Sequence, residues 1–507
     1  MKYCLFTLLA GGLLLFSSCN NKGENYDRII RNGIVYDGSG APGIRADIGI
    51  RNDTIAFIGD LSGASATEET DAAGQALAPG FIDTHSHHAG NPFSHRDFTA
   101  VLSQGITSII IGQDGGSNFP LASFYQQLTD TPVAVNIGSY SGHNTIRDSI
   151  LGKDFKRAAS AAETEKMKTL LLQDMEAGAL GLSTGLEYDP GIYSAREEVL
   201  ALTKIIAPYN GRYISHIRSE DRYFWNAIDE IINVGKTTGV PVQVSHIKLA
   251  MHNLWGKADS LLAIMDQARK EGVQITSDIY PYAFWHSTIR VLFPDRNFSN
   301  EKEADMILRD ITLPEDIILA AYEINPAYEG KTLAAIAALE NKTPARMLVE
   351  LIARIEAWEK SHNDECRESI MATSMAETDI TRLMQWPYAN ICSDGSSSGR
   401  HPRGHGAFPR VLAKYTREEK ALTLAQAIYK MTGLAATNLA IEKRGFLRTG
   451  YFADIVLFNP DTVKDLATVE EPHALSEGIL QVWVNGQSVY LTKKHSGLFP
   501  GQLIKRK

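Results

Sequence analysis

Short apolar runs recur between residues 80 and 440, each separated from the next by a stretch with helical periodicity. They lie at 80–83, 107–111, 133–137, 180–183, 213–215, 242–245, 273–276 and 390–393. Near-continuous apolar strands are what a sheet requires when helices cover both of its faces. The spacers fit such helices. In residues 163–177, Met167, Leu170, Leu171 and Met175 fall on one face, and Gly178 follows as a stop. This alternation predicts an α/β fold, a (β/α)8 barrel of TIM type, with a doubly wound sheet as the second candidate. Residues 296–370 carry helical stretches but no clear barrel strand. They read as an insertion before the last barrel strand. No fixed-period repeat of the solenoid kind is present.

The two ends of the chain are written differently. Asn32-Gly33, Asn52-Asp53 and Asn485-Gly486 each sit between strand-like runs, and each reads as a hairpin turn. Strand-rich text at both termini predicts one small β-domain, of sandwich type, assembled from residues 20–78 and 441–507, around a barrel at 79–440. The first residues differ again. Lys2 precedes an apolar run from Tyr3 to Phe16, then Ser17-Ser18-Cys19. That run is too short to span a bilayer, which takes about 20 residues. It has the charged start, apolar middle and small-residue end of a secretion signal at 1–19, and the cysteine after two small residues resembles a bacterial lipobox. The expectation is an exported bacterial lipoprotein, periplasmic or anchored in the outer membrane through a lipid on Cys19. Membrane contact is expected only through that anchor.

A net charge of -9 offers no basic field for nucleic acid. Four cysteines in 507 residues cannot form a disulfide scaffold.

Several chemistry-bearing residues close the predicted strands. His85 and His87 end the first run, and residues i and i+2 of a strand share a face. His216 follows 213–215, His246 follows 242–245, and Asp394 closes the last run. His216 and His246 are 30 residues apart, about one βα unit, so they sit at the same end of adjacent strands. In a barrel that end is the catalytic face. Imidazoles and a carboxylate gathered there suit a divalent metal, zinc above all. Such a metal lowers the pKa of water from about 15.7 towards 7, and a neighbouring Asp can take and return the proton. The chemistry predicted is hydrolysis of an amide or related bond.

Longer motifs carry a resemblance. They are Pro79-Gly80-Phe81-Ile82-Asp83-Thr84-His85-Ser86-His87, Gly181-Leu182-Ser183-Thr184-Gly185-Leu186, Ser215-His216-Ile217-Arg218 and Ser245-His246-Ile247-Lys248. Asp278-Ile279-Tyr280-Pro281-Tyr282, Ser393-Asp394-Gly395, His401-Pro402-Arg403, Phe408-Pro409-Arg410 and Gly450-Tyr451-Phe452-Ala453-Asp454 complete the set. From about 27 to 490 the chain resembles the amidohydrolase superfamily, and within it the D-aminoacylase (N-acyl-D-amino-acid deacylase) family. The resemblance implies one or two zinc ions, with His216 and His246 as main ligands and His85 and His87 at a second, weaker position. It implies Asp394 as the general base. Lys248, Tyr282 and Arg403 match the groups that hold a small-molecule substrate's α-carboxylate. Arg offers a bidentate fork and Lys a point charge for such a group. One departure stands out. Where the family has a Cys ligand after the second strand, this chain reads Gly112-Gln113-Asp114-Gly115. Asp114 is then the expected metal ligand, with Glu187 as another carboxylate near the site and His143 as a further histidine near the end of the third strand.

The reading is a hydrolase acting on carbon–nitrogen bonds other than peptide bonds. Alternatives are a dipeptidase for peptides with a C-terminal D-residue and a cyclic-amide hydrolase. No lysine stands between Leu180 and Leu186, so a carboxylated bridging lysine is not supported there. A non-catalytic binding protein on the same scaffold would be expected to have lost its metal ligands, and this chain keeps them.

Overall fold

The computed structural model describes residues 25–506. The signal at 1–19, with Cys4 and Cys19, lies outside the described residues.

Eight parallel strands form the barrel: Phe81–Asp83, Ile106–Ile111, Asn136–Ser139, Gly181–Gly185, Arg212–His216, Val242–Val244, Ile275–Ile279 and Ala389–Ile391. Pairing is continuous from the first to the third and from the fourth to the eighth. The third reaches the fourth through Ser141–Gly142. A parallel bridge between Ser86 and Gly395 joins the first to the eighth and closes the ring. At the opposite end of the strands, the C-terminal Leu503–Ile504 pairs alongside the third strand.

Buried polar pairs hold the ring shut. Asp83 accepts from the Ser393 N–H at 2.8 Å and from its hydroxyl at 2.5 Å, tying the first strand to the segment after the eighth. Burial lifts the Asp83 carboxyl to about 6, against the lowering effect of those donors. Around the ring, helices bury one stripe each. Helix Ala161–Ala177 starts in a capping box built from Ser160 and Glu163 and ends at Gly178, whose φ of 105° suits glycine. Its Met167, Leu171 and Met175 are buried, and Leu170 packs at the edge of the core. Removing one such side chain, as in Leu171→Ala, costs about 2–5 kcal/mol.

Strands from both chain ends share one nine-stranded sheet. That sheet folds back on itself, with the Ile55 N–H donating to Tyr451 O and the Ala453 N–H to Asp53 O, each at 2.8 Å. Asn52-Asp53 turns between Ile44–Arg51 and Thr54–Gly59, and Asn485-Gly486 between Ile479–Val484 and Gln487–Leu491. Asn32-Gly33 does not make a hairpin. Strand Asn25–Val35 runs straight through it, with Asn32 at φ 58° and a register shift between Ile30 and Gly33. The left-handed residue is absorbed as a bulge, because both flanks pair with the same partner strand.

Between the seventh and eighth barrel strands lies the insertion. It contains helices Glu301–Asp310, Leu333–Leu339 and Pro344–His362. It also contains an antiparallel sheet of Phe284–Ser287, Glu368–Thr373 and Ile317–Tyr322, which the sequence reading did not foresee. Glu368-Ser369-Ile370-Met371-Ala372-Thr373 has no clean alternation, because its polar ends meet side-chain partners rather than water. Glu368, for example, accepts from Thr288 and from the Ile289 N–H.

Candidate metal centre and substrate cavity

At the C-terminal ends of the barrel strands, side chains from six strand ends converge. His85 and His87 leave the first strand, Asp114 the second, Glu187 the fourth, His216 the fifth, His246 the sixth and Asp394 the eighth. His85 Nε2 lies 3.3 Å from Asp114 Oδ2 and 3.5 Å from Asp394 Oδ1. His87 Nε2 lies 3.3 Å from the same two oxygens. His246 Nε2 is 3.2 Å from Asp114 Oδ1 and 3.1 Å from His216 Nδ1. Donor atoms of His85, Asp114, His246 and Asp394 all fall within 4.8 Å of one another, and so do those of His216, Glu220 and His246. His246 belongs to both groups.

The backbone is bent to achieve this. Asp114, His246 and Asp394 are all left-handed, with φ of 52°, 35° and 49°. Each costs about 1–3 kcal/mol for a residue other than glycine, and such strain gathers at functional sites.

The donor set fits a divalent cation. Two ring nitrogens, those of His216 and His246, face each other at 3.1 Å with carboxylates alongside. Imidazoles pointed together in this way are suited to offering lone pairs to one ion. The carboxylates draw positive charge into the cluster. Burial works against a charged His87, yet Asp114 and Asp394 raise its pKa to about 9. His246 is raised to about 10: burial and Lys248 oppose its charge, and Asp114, Glu220 and Asp394 prevail. Burial also opposes an ionised Asp394, but Arg403 and the histidines hold it well below the usual carboxylate range. Asp114 is held low in the same way by His85 and His246. These residues could surround a cation, and Asp114 lies between the first-strand pair and His246.

Above the cluster opens a cavity of about 350 Å³. Lys248 and Arg403 stand on its wall. Arg403 Nη1 pairs with Asp394 Oδ2 at 2.6 Å. Lys248 Nζ donates to Glu220 Oε1 at 2.6 Å and lies 2.8 Å from His246 Nδ1. Trp285, Val291, Leu292 and Ile311 form an apolar wall supplied by the insertion.

Tyr282 is not part of this arrangement. Its N–H donates to Tyr280 O at 3.1 Å, so the chain turns and strand alternation ends at Ile279. Its ring packs on His401 and under the Arg410 guanidinium instead. Tyr280 is the tyrosine between the two cations. Arg403 sits 4.7 Å and Lys248 5.7 Å from its ring centre, and its buried hydroxyl has no partner. The sequence carried that signal, since Tyr280 directly follows the seventh strand, as His246 follows closely on the sixth.

Glu220 was also missed. It lies four residues beyond His216 and meets His246 Nδ1 at 3.1 Å. Glu187 reaches the cluster through His216 Nε2 at 2.8 Å. Its carboxyl is raised by burial, with His216 opposing. His143 stands apart, buried against Glu198 at 2.8 Å beside Arg147.

Comparison with known proteins follows the same lines. The amidohydrolase family matches residues 68–490. An N-acyl-D-glutamate deacylase from Alcaligenes xylosoxydans xylosoxydans is 35% identical over 510 residues, covering 95% of this chain and 97% of its own. A D-aminoacylase from the same organism is 32% identical over 508 residues, covering 95% and 98%. The crystal structure of an N-acyl-D-glutamate deacylase from Bordetella bronchiseptica, complexed with zinc and a phosphonate inhibitor, is 32% identical and superposes with a TM-score of 0.85 over 95% of this chain and 100% of that one. With its barrel, its strand-end histidines and relatives matched almost end to end, the chain belongs to the amidohydrolase family, and within it to the D-aminoacylases.

Proposed function

We propose that this chain is a zinc-dependent hydrolase that converts N-acyl-D-amino acids to a carboxylic acid and a D-amino acid. The observation that carries the reading is the placement of Lys248 and Arg403 on the wall of the same cavity whose floor is the His–Asp cluster. A substrate whose α-carboxylate meets these two cations presents its neighbouring amide to the cluster. The D configuration rests on the relatives, each named for D-amino-acid substrates or as a D-aminoacylase.

His85, His87, Asp114, His216 and His246 would hold the metal, with Glu187 and Glu220 beside them. When bound, a divalent metal activates water and polarises the amide carbonyl. The remaining work falls to the chain. Asp394 Oδ1, beside His85 and His87, accepts the proton that water loses as its oxygen bonds to the carbonyl carbon. The same oxygen returns that proton to the amide nitrogen as the C–N bond breaks. Arg403 keeps Asp394 ionised and fixed through its pair with Oδ2.

The cavity favours an uncharged, apolar D-residue. Its lysine and arginine are Lys248 and Arg403, and in this reading both are taken by the substrate's α-carboxylate. Arg296, behind Glu187, is spent on Asp189 and on the carbonyls of Glu187, Arg290 and Phe293. No further cation among the lining residues awaits a side-chain carboxylate, while Trp285, Val291, Leu292 and Ile311 offer an apolar surface.

The test is hydrolysis of paired N-acetyl-D- and N-acetyl-L-amino acids with zinc and after chelation. Chelator-sensitive turnover of D-forms alone is expected. Turnover of L-forms, or none with zinc bound, overturns the reading.

Export and lipid attachment at Cys19 are part of the same proposal, supported by the charged, apolar and small-residue succession of residues 2–19. Cys19→Ser should move the protein from the membrane fraction to the soluble one. An unchanged distribution counts against the anchor.

A further inference from the structure

At the opposite end of the barrel from the metal centre lies a second cavity, of about 550 Å³. Its walls are the entry ends of the fifth, seventh and eighth strands and helices Ala258–Lys270, Leu424–Met431 and Gly433–Leu439. Three cations line it, Arg212, Arg269 and Lys430, and no aspartate or glutamate does.

These cations are held in place by neutral acceptors. Arg212 is 6% exposed, and its Nη1 donates to Thr276 Oγ1 at 2.9 Å and to Val242 O at 3.3 Å. Lys430 is 5% exposed, and its Nζ donates to Trp386 O at 2.6 Å and Ala389 O at 3.0 Å. Arg269 donates from Nη1 to Ile275 O and lies 3.4 Å over the Tyr388 ring. Among the described residues, none of the three pairs with a carboxylate. A buried charge without a counter-charge is costly. Here two buried cations, Arg212 and Lys430, and the partly buried Arg269 gather around one water-accessible space of ligand size. Burial pulls Lys430 down to about 8, and burial together with Arg506 and Arg269 pulls Arg212 down to about 10, Tyr140 and Asp278 opposing. Neither cation has a paired carboxylate to offset its burial.

We propose that this cavity is a binding site for a doubly charged oxyanion of the phosphate type, separate from the metal centre. The Arg212 and Arg269 guanidinium groups supply fork geometry and Lys430 a point charge, the pairing that recognises such groups. Gln274, also on the wall, adds an amide donor.

The experiment is thermal unfolding and calorimetric titration of the zinc-loaded full chain. Inorganic phosphate, glycerol 3-phosphate and sodium chloride are compared at matched ionic strength. Phosphate or its ester should raise Tm where chloride does not, and a larger rise with the ester would assign the site to an organic phosphate. Arg269→Gln, on a half-exposed helix position, and Lys430→Met should each weaken binding at least tenfold with turnover unchanged. Phosphate held at the metal centre would bind both variants as it binds the parent. That result, or no shift beyond chloride, overturns the proposal. Arg269→Gln keeps the test decisive if Lys430→Met fails to fold.

Discussion

Asp278 accepts a hydrogen bond at 2.5 Å from the backbone N–H of His246, and its second oxygen accepts from Gln243 Nε2 at 2.6 Å. Neither contact involves the imidazole, yet both decide where it stands. His246 has a φ of 35°, a conformation that its own backbone disfavours, and Asp278 anchors it from inside the barrel. Asp278→Asn turns an oxygen into a donor facing donors. Zinc affinity should fall ~10–100-fold, as is usual when a residue supporting a ligand is changed. Competition with a chelator measures this, and turnover should recover at saturating zinc. Undiminished zinc affinity would show that the strand end alone positions His246.

Asp394 is the group placed to carry the proton. Asp394→Asn keeps the shape and the contact with Arg403 but cannot accept a proton. Turnover of the best N-acyl-D-amino acid should fall ~10²–10⁴-fold, the usual worth of a positioned acid–base group. Zinc content by elemental analysis should stay near that of the parent, because the histidines remain. Loss of zinc along with activity would make Asp394 a metal-retaining residue first.

What sequence could and could not reveal follows from these geometries. The barrel was legible because buried parallel strands are apolar throughout, and His85, His87, His216 and His246 were legible because each closes or follows such a strand. Asp394 was found in the same way. Tyr282 rests on the resemblance alone, whereas Tyr280, directly after the strand end at Ile279, is the tyrosine that the fold sets between Lys248 and Arg403. Glu220 was passed over because its role arises from a loop that brings it back onto His246, and no periodicity marks such a return. The sheet in the insertion was hidden because Glu368 and Thr373 look like surface residues until their partners are known. The basic cavity was invisible for a similar reason. Arg212, Arg269 and Lys430 are ordinary cations in the sequence, and only the fold strips them of counter-charges.

Selectivity for the D-residue should follow the apolar wall. N-acetyl-D-leucine, N-acetyl-D-methionine and N-acetyl-D-phenylalanine are expected to exceed N-acetyl-D-glutamate and N-acetyl-D-aspartate in kcat/KM by at least ~10-fold, since burying a carboxylate without a partner costs several kcal/mol. Leu292→Arg should narrow or reverse that ratio by supplying the missing cation. Preference of the parent for D-glutamate would mean that a cation outside the wall reaches the side chain.

Lys430 gives a pH test that the metal centre does not touch. Burial lowers its pKa from 10.5 to about 8. Between those values the unfolded chain holds a proton that the folded chain has released, so stability from this group rises with pH across the window. Below about 8 both states are protonated, and the cost of burying the charge is constant and fully present. The slope is at most about 1.4 kcal/mol per pH unit. Denaturant unfolding of the parent should therefore gain on Lys430→Met between pH 8 and 10 and run parallel to it from pH 7 to 8. Curves parallel throughout would mean that the carbonyls of Trp386 and Ala389 suffice to keep the ammonium charged. Buffer choice sharpens the result. An oxyanion in the basic cavity favours the charged lysine, so phosphate should move the onset of the gain to higher pH, whereas chloride at equal ionic strength should leave it in place.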